Sequence, residues 1–181
     1  MEPQEVQELQ EHAEHGAHES SLRPVALTMT ILAVLVAVTT VLGHRTHTDA
    51  VLKQAEASDT WNEYQAKKNR AYDTELSDNL LSVLTIADKD GAAKIKKKDE
   101  DHKAKWTEDL ADETKEAKAL EEKVKLAEHR ADYYDLGEAL LEIGLVITSV
   151  TLLTRKPAYW YAGIVASIVG VVAVVSGLLL K

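Results

Sequence analysis

The amino-acid sequence predicts an all-α membrane protein: three transmembrane helices, with a long antiparallel helical hairpin inserted between the first and the second. Three observations carry this. Val25 to Gly43 and Ala158 to Leu180 are uncharged apolar runs of membrane-spanning length, since a hydrocarbon core of about 30 Å takes roughly 20 helical residues. A shorter apolar run, Ala139 to Leu153, precedes the last one across the tight basic turn Arg155-Lys156-Pro157. Between the first run and the second lie residues 44–135, polar, free of proline and rich in Ala, Leu, Glu and Lys, the residues with the least cost in a helix.

The averages point elsewhere. A net charge of −9 and 28 % charged residues, with a mean hydropathy of −0.21, describe an acidic water-soluble chain only because the charges fill the space between the apolar blocks. Cysteine is absent, which removes disulfides, thiolate metal sites and thiol nucleophiles. The acidic balance and the lack of a basic stripe exclude nucleic acid as a partner. The first 20 residues lack the positive start and apolar centre of a cleavable signal.

Residues 1–21 form an acidic tail with six glutamates and too few apolar residues to anchor a helix. His12, His15 and His18 fall at i, i+3 and i+6, a spacing that offers imidazoles to Zn²⁺ or Ni²⁺. Gly16 among them and the lack of a fourth ligand favour a solvated tail, and no metal or other cofactor is expected. Pro24 suits a helix's first turn and opens the first transmembrane helix, 22–43. Its small residues Ala26, Thr30, Ala33, Ala37 and Thr40 form one narrow stripe. The third helix, 158–180, has another in Ala162, Ala166, Gly170, Ala173 and Gly177. Small residues let helix backbones approach in lipid, so both stripes are predicted to be packing faces.

The hairpin, 44–135, is punctuated once, near residues 88–91, where Gly91 is expected to end the first arm in a left-handed conformation. Each arm would be roughly 65 Å long and would continue its neighbouring transmembrane helix without interruption; Gly43 and Gly137 are the weak points. The second arm carries a heptad-like row, Trp106, Leu110, Ala117, Leu120, Val124, Ala127, Ala131 and Tyr134, broken only by Glu113. In the first arm Trp61, Tyr64, Ala71, Leu76, Leu80, Val83 and Ala87 are expected to face it. Lysines 94 and 96–98, with Lys103 and Lys105, are interleaved with Asp99, Glu100 and Asp101, which reads as a solvated face.

The second transmembrane helix, 136–154, holds Glu138 and Glu142 four residues apart, on one helix face. Ionisable residues at membrane depth suggest a proton or cation path. A protonated or paired carboxyl near the interface is the simpler account, with Thr39 or Thr40 as partner of Glu142 and His44 or Arg45 serving Glu138. Arg155 and Lys156 can snorkel to the interface, and Tyr159, Trp160 and Tyr161 behind them have the amphipathic rings that prefer headgroup level. No phosphate-cradling glycine loop and no Ser/His/Asp pattern is present, so no enzyme is expected.

The stretch His47-Thr48-Asp49-Ala50, then Ala55 and Trp61-Asn62-Glu63-Tyr64-Gln65-Ala66-Lys67, resembles an uncharacterised bacterial family of small three-span membrane proteins catalogued only as a domain of unknown function. The His/Glu tail and the Arg155-Lys156 turn running into Tyr159-Trp160-Tyr161 are similar too. The sequence departs from that pattern in its weak basic flank before the first helix, where only Arg23 stands. The resemblance implies the three-helix architecture and a bacterial inner membrane, and it brings no activity, substrate or cofactor. The expectation that follows is a non-enzymatic, homo-oligomeric scaffold in the lipid bilayer with projecting stalks. Its rivals are a component conducting ions or small solutes past Glu138 and Glu142, and an accessory subunit docked on a larger membrane complex. Arg155 and Lys156 lie in the shortest loop, which by the positive-inside rule is expected in the cytoplasm with the stalk in the periplasm; the count of Lys and Arg near the membrane ends of the stalk, about six against three, runs the other way.

Overall fold

The structure is a computed structural model that describes residues 22–85 and 88–180. The described residues form three helices, α1 (Arg23–Val83), α2 (Lys89–Thr154) and α3 (Pro157–Leu179), and no strand. Each contains a segment long and apolar enough to cross a membrane. The chain divides into two compact units. Among the described residues, one joins those up to Asp49 with those from Leu126 onward; the other lies within Ala50–Lys125.

In the first unit α1 and α2 run antiparallel, shown by the pairs Thr40 with Glu138 and His47 with Asp135. Their shared core is Val25, Met29, Leu32 and Val36 against Leu141 and Leu145. These α1 positions step by four and three, so they form one row facing α2. The row of small residues is used only in part: Ala26 is buried, Ala33 packs on this core and Thr40 reaches Glu138. Thr30 and Ala37 are exposed, because a bulky face fills the space against Leu141 and Leu145 better than a stripe of alanines.

The small residues are used between α2 and α3. A Cβ added at Gly144 would lie 2.8 Å from the carbonyl oxygen of Gly163, and one at Gly163 would lie 2.7 Å from that of Gly144. Gly137 and Gly170 make the same reciprocal contact, at 3.0 and 2.9 Å. A Cβ at Gly177 would meet Tyr133 Cβ at 2.9 Å. The buried face of α3 is therefore Gly163, Ser167, Gly170, Ala173 and Gly177. Ala162 is exposed and Ala166 half-buried. Gly137, expected as a weak point, is a contact point inside a continuous helix. Arg130 of α2 donates from Nε to Leu180 O at 2.9 Å, and from Nη2 as well, satisfying a carbonyl at the far end of α3.

The second unit is an antiparallel hairpin of α1 and α2, fixed by Trp61 with Glu121, Lys67 with Glu113, and Asp78 with Lys103. Ala57 and Ala117 are 1 % and 0 % exposed. Glu113 does not break the row: it is buried on it, in register with Ala117 and Val124. The first arm departs from the expected face beyond Ala71. The seam goes on through Thr74, Asp78 and Leu81, all half-buried, while Leu76 is 58 % exposed and Val83 is 78 % exposed. Ala87 lies outside the described residues. Gly91 is not a left-handed terminus either, since no described glycine has positive φ. It lies in the first turn of α2, where its N–H donates to Asp88 Oδ1 at 2.9 Å. Asp88 caps the N-terminus of α2, as a short carboxylate does well.

Two substitution pairs test these faces. Gly163→Val must push α3 away from Gly144 and should destabilise the protein by about 1–3 kcal/mol, whereas Ala162→Val should be close to neutral. In the hairpin, Ala117→Leu should cost about as much by overpacking, and Lys118→Gln, on the exposed side next to it, should cost nothing measurable. Thermal unfolding in mild detergent, followed by far-UV circular dichroism, reads all four; a penalty at Ala162 or Lys118 equal to that at Gly163 or Ala117 contradicts these faces.

Candidate functional site

Three polar clusters stand out. The first lies within the apolar part of α2. Glu138 is half-buried, and its Oε1 accepts a hydrogen bond of 2.6 Å from Thr40 Oγ1. The same hydroxyl lies 3.0 Å from Val36 O, so Thr40 is shared between its own helix and α2. Thr40 thus serves Glu138, where the sequence spacing suggested Glu142. Glu142 is half-buried one turn further along. Near this cluster His47 Nε2 meets Asp135 Oδ2 at 3.0 Å.

The second cluster is the α2–α3 turn. Arg155 has φ of 58°, a region sparsely populated by residues other than glycine. Its N–H donates to Thr151 O at 2.8 Å, closing the last turn of α2. Lys156 then takes an extended conformation, Pro157 starts α3, and no side chain caps that helix. Proline suits the position because the first N–H of a helix has no partner to lose. Tyr159 and Tyr161 are exposed. Trp160 instead turns inward: its indole packs on the helix core, and its Nε1 donates to Thr28 Oγ1 at 3.2 Å. This tie between α3 and the start of α1 has no signature in spacing or composition.

The third cluster is the polar part of the hairpin seam. Lys67 on α1 donates to Glu113 on α2 and lies 3.5 Å from Asp109. Lys103 donates to Asp78. The hydrogen bond to Glu113 holds the Lys67 ammonium above its ordinary 10.5, against the opposing pull of partial desolvation; the charges of Glu113 and Asp109 add to the rise. Asp78 does the same for Lys103. Beside them Lys68 stands over the rings of Tyr64 and Tyr72, 5.5 and 5.9 Å from their centroids. Trp61 meets Tyr64 edge-on at 5.5 Å and donates to Glu121 at 2.9 Å. The Trp61–Tyr64 pair is therefore part of the seam, with Trp61 tied across it to Glu121. Lysines 94 and 96–98 are exposed.

His12, His15 and His18 lie outside the described residues. Among the described residues no group of three or more His, Asp or Glu is placed to hold a metal ion.

These features define a class: an all-helical chain whose three apolar segments have membrane-crossing length and whose two longest helices pair side by side. A family model, "Domain of unknown function (DUF4337)", matches residues 21–180, and the chain belongs to that family. Comparison with curated proteins and with solved structures gives no match.

The raised lysine pKa values fix a pH dependence. A lysine whose pKa is higher folded than unfolded contributes its full stabilisation below the unfolded value near 10.5, and loses it as pH rises through the folded value. The hairpin should therefore hold its melting temperature up to about pH 10 and soften above it. The double variant Lys67→Arg/Lys103→Arg, whose guanidinium groups stay charged, should flatten that alkaline decline. Melting curves between pH 8 and 12 check this; identical profiles for variant and wild type would remove the two ion pairs from the account.

Proposed function

We propose that this chain is a non-enzymatic integral membrane protein that assembles with copies of itself into a symmetric scaffold. Its three apolar segments cross a bacterial inner membrane, and its hairpin projects from it. The observation that supports self-assembly is the apolar stripe Tyr72, Leu76, Leu80 and Val83. These residues repeat at helical spacing on one side of α1, are exposed, and lie off the seam that pairs the two arms. Leaving large apolar side chains in water is costly, and a contiguous apolar patch marks a contact surface. The occupant proposed is the same stripe of a neighbouring copy, related by a closed symmetry.

The positive-inside rule places Arg23, Arg155 and Lys156 in the cytoplasm and the hairpin in the periplasm. The conducting alternative draws on Glu138 and Glu142, and it gains less support because Glu138 is engaged by Thr40 inside the helix pair. Native mass measurement and single-particle imaging of the detergent-purified chain test the scaffold directly. A closed ring or small symmetric oligomer is expected, and Leu76→Glu combined with Leu80→Glu should reduce it to monomers without loss of helicity. A wild-type monomer in mild detergent and in lipid discs alike would exclude the scaffold. A particle containing foreign subunits would identify an accessory protein instead, and ion flux through vesicles would favour the conducting reading.

A further inference from the structure

At the α2–α3 turn, Leu22, Pro24, Val25, Thr151, Arg155, Pro157 and Trp160 line a cavity of about 200 Å³. That is several times one water's share of liquid volume, about 30 Å³. Most of the lining is apolar; the polar exceptions are Arg155 and Thr151. Thr151 is 2 % exposed, and its hydroxyl is buried with no hydrogen-bond partner.

That missing bond is conspicuous among its neighbours. Thr28, Thr39, Thr40, Thr148 and Thr154 all return their hydroxyls to the backbone carbonyl four residues earlier. Thr151 does not, and a buried hydroxyl left without a partner is a cost that something must compensate. Beside it Arg155 is held in the left-handed region, and the adjoining N-terminus of α3 has no side-chain cap. Arg155 and Thr151 both border this apolar-walled space, together with Pro157 at the positive end of the α3 helix dipole, and the Thr151 hydroxyl is buried just behind its wall. That combination suits a phosphate whose ester is attached to something greasy.

We propose that this cavity binds the phosphate and glycerol of an anionic phospholipid. Arg155 grips the phosphate oxygens and Thr151 donates its hydroxyl. Leu22, Pro24, Val25 and Trp160 receive the apolar start of the acyl chains. The site rests on the membrane placement proposed for the three apolar segments, because Trp160 and the Arg155-Lys156 turn must then lie at headgroup level. Nearby basic residues attract anionic lipid in any case, by about fivefold per charge. What distinguishes a built site is dependence on the uncharged Thr151.

Trp160 is the reporter. The chain has three tryptophans, and replacing Trp61 and Trp106 by Phe leaves Trp160 alone. This protein is reconstituted in zwitterionic vesicles containing a small fraction of chain-brominated anionic diacyl phospholipid, or the same fraction of chain-brominated zwitterionic lipid. Bromine quenches indole fluorescence on contact. A third arm adds inorganic phosphate to unbrominated zwitterionic vesicles and follows Trp160 emission.

The expected result is preferential quenching by the anionic lipid. Thr151→Val should lower the apparent affinity about fivefold and Arg155→Gln about tenfold, as loss of a neutral and of a charge-assisted hydrogen bond implies. Arg155→Lys, which keeps the charge, should fall between wild type and Arg155→Gln. Far-UV circular dichroism confirms that each variant is folded. Equal quenching by both lipids, or a preference that survives Thr151→Val unchanged, overturns the lipid site while leaving the membrane placement intact. A response to phosphate without lipid preference overturns it in favour of a free anion. No quenching by either lipid overturns the membrane placement itself.

Discussion

The contact on which the first unit depends is the reciprocal approach of α2 and α3 at glycine. Gly144 and Gly163 sit so close that each would drive a methyl group into the other's carbonyl oxygen, and Gly137 and Gly170 repeat the arrangement seven residues along. Gly177 extends the series on α3, where an added Cβ would meet Arg130 O at 3.4 Å, again seven residues from Gly137. Two antiparallel helices with one glycine per heptad thus meet backbone to backbone. Between apolar helices this matters more than in a water-soluble core. Under the proposed membrane placement, leucine against leucine gains little over leucine against an acyl chain, so close van der Waals contact and polar bridges would supply the attraction. Ser167 and Thr148 lie in the same interface and are buried, and their hydroxyls bond back to Gly163 O and Gly144 O. With α3 fixed on the glycine face of α2, α1 takes the adjoining face, where its bulky residues meet Leu141 and Leu145 and where Trp160 and Val174 of α3 join the same core.

The α1–α2 pair is held by different means in the two units. In the first, Met29, Leu32 and Val36 pack on Leu141 and Leu145, and Thr40 supplies Glu138 with one hydrogen bond. In the second, apolar seam residues give way to alanine and then to charge: Ala50 and Ala57, then Lys67, then Asp78 on α1, with Glu113 and Lys103 opposite. Alanine at the seam lets the helices approach but buries little area, so it specifies register weakly. The ion pairs compensate, because a slip of one turn would strand Glu113, largely buried, away from Lys67, and a buried charge without its partner is strongly unfavourable. Charged residues on a seam here act as register marks.

The helix content and the three apolar segments were legible because composition and hydropathy set them one residue at a time; the break lies a few residues earlier than the glycine that suggested it, since α1 ends at Val83 and Gly91 is inside α2. The faces were harder. Leu76 and Leu80 drew the first arm's seam toward themselves because they are the largest apolar residues nearby, while the true row passes through Thr74 and Asp78, residues that look wrong for a seam until Lys103 is seen opposite. Glu113 looked like an interruption for the same reason. On α3 the expected Gly170, Ala173 and Gly177 lie on the buried face, but Ala162 and Ala166 fit a small-residue stripe as well by size as Gly163 and Ser167, which continue that face. The spacing that separates them was present in the chain, in the seven-residue intervals from Gly137 to Gly144 and from Gly163 through Gly170 to Gly177. Two helices sharing one glycine period are matched surfaces, and that match is visible only when the helices are compared with each other. The Trp160–Thr28 bond and the orphan hydroxyl of Thr151 had no such signal, since both depend on where three separate segments come together.

Use of the glycine face inside one chain also decides where association between copies can draw its energy. Once Gly163, Gly170 and Gly177 are buried against α2, the outer side of α3 is Val165, Ile168, Val169, Val172 and Val175. Under the proposed membrane placement that side faces acyl chains, and exchanging acyl chains for another helix's valines brings little gain. The hairpin is different, because its exposed leucines lie beyond the apolar segments. There each buried methylene is worth about 0.8 kcal/mol, and four large side chains per copy bring a substantial share of what a stable contact needs. The self-assembly proposed for this chain would thus draw on the hairpin, and substitutions on the α3 glycine face act first on the packing of α3 against α2 within one chain.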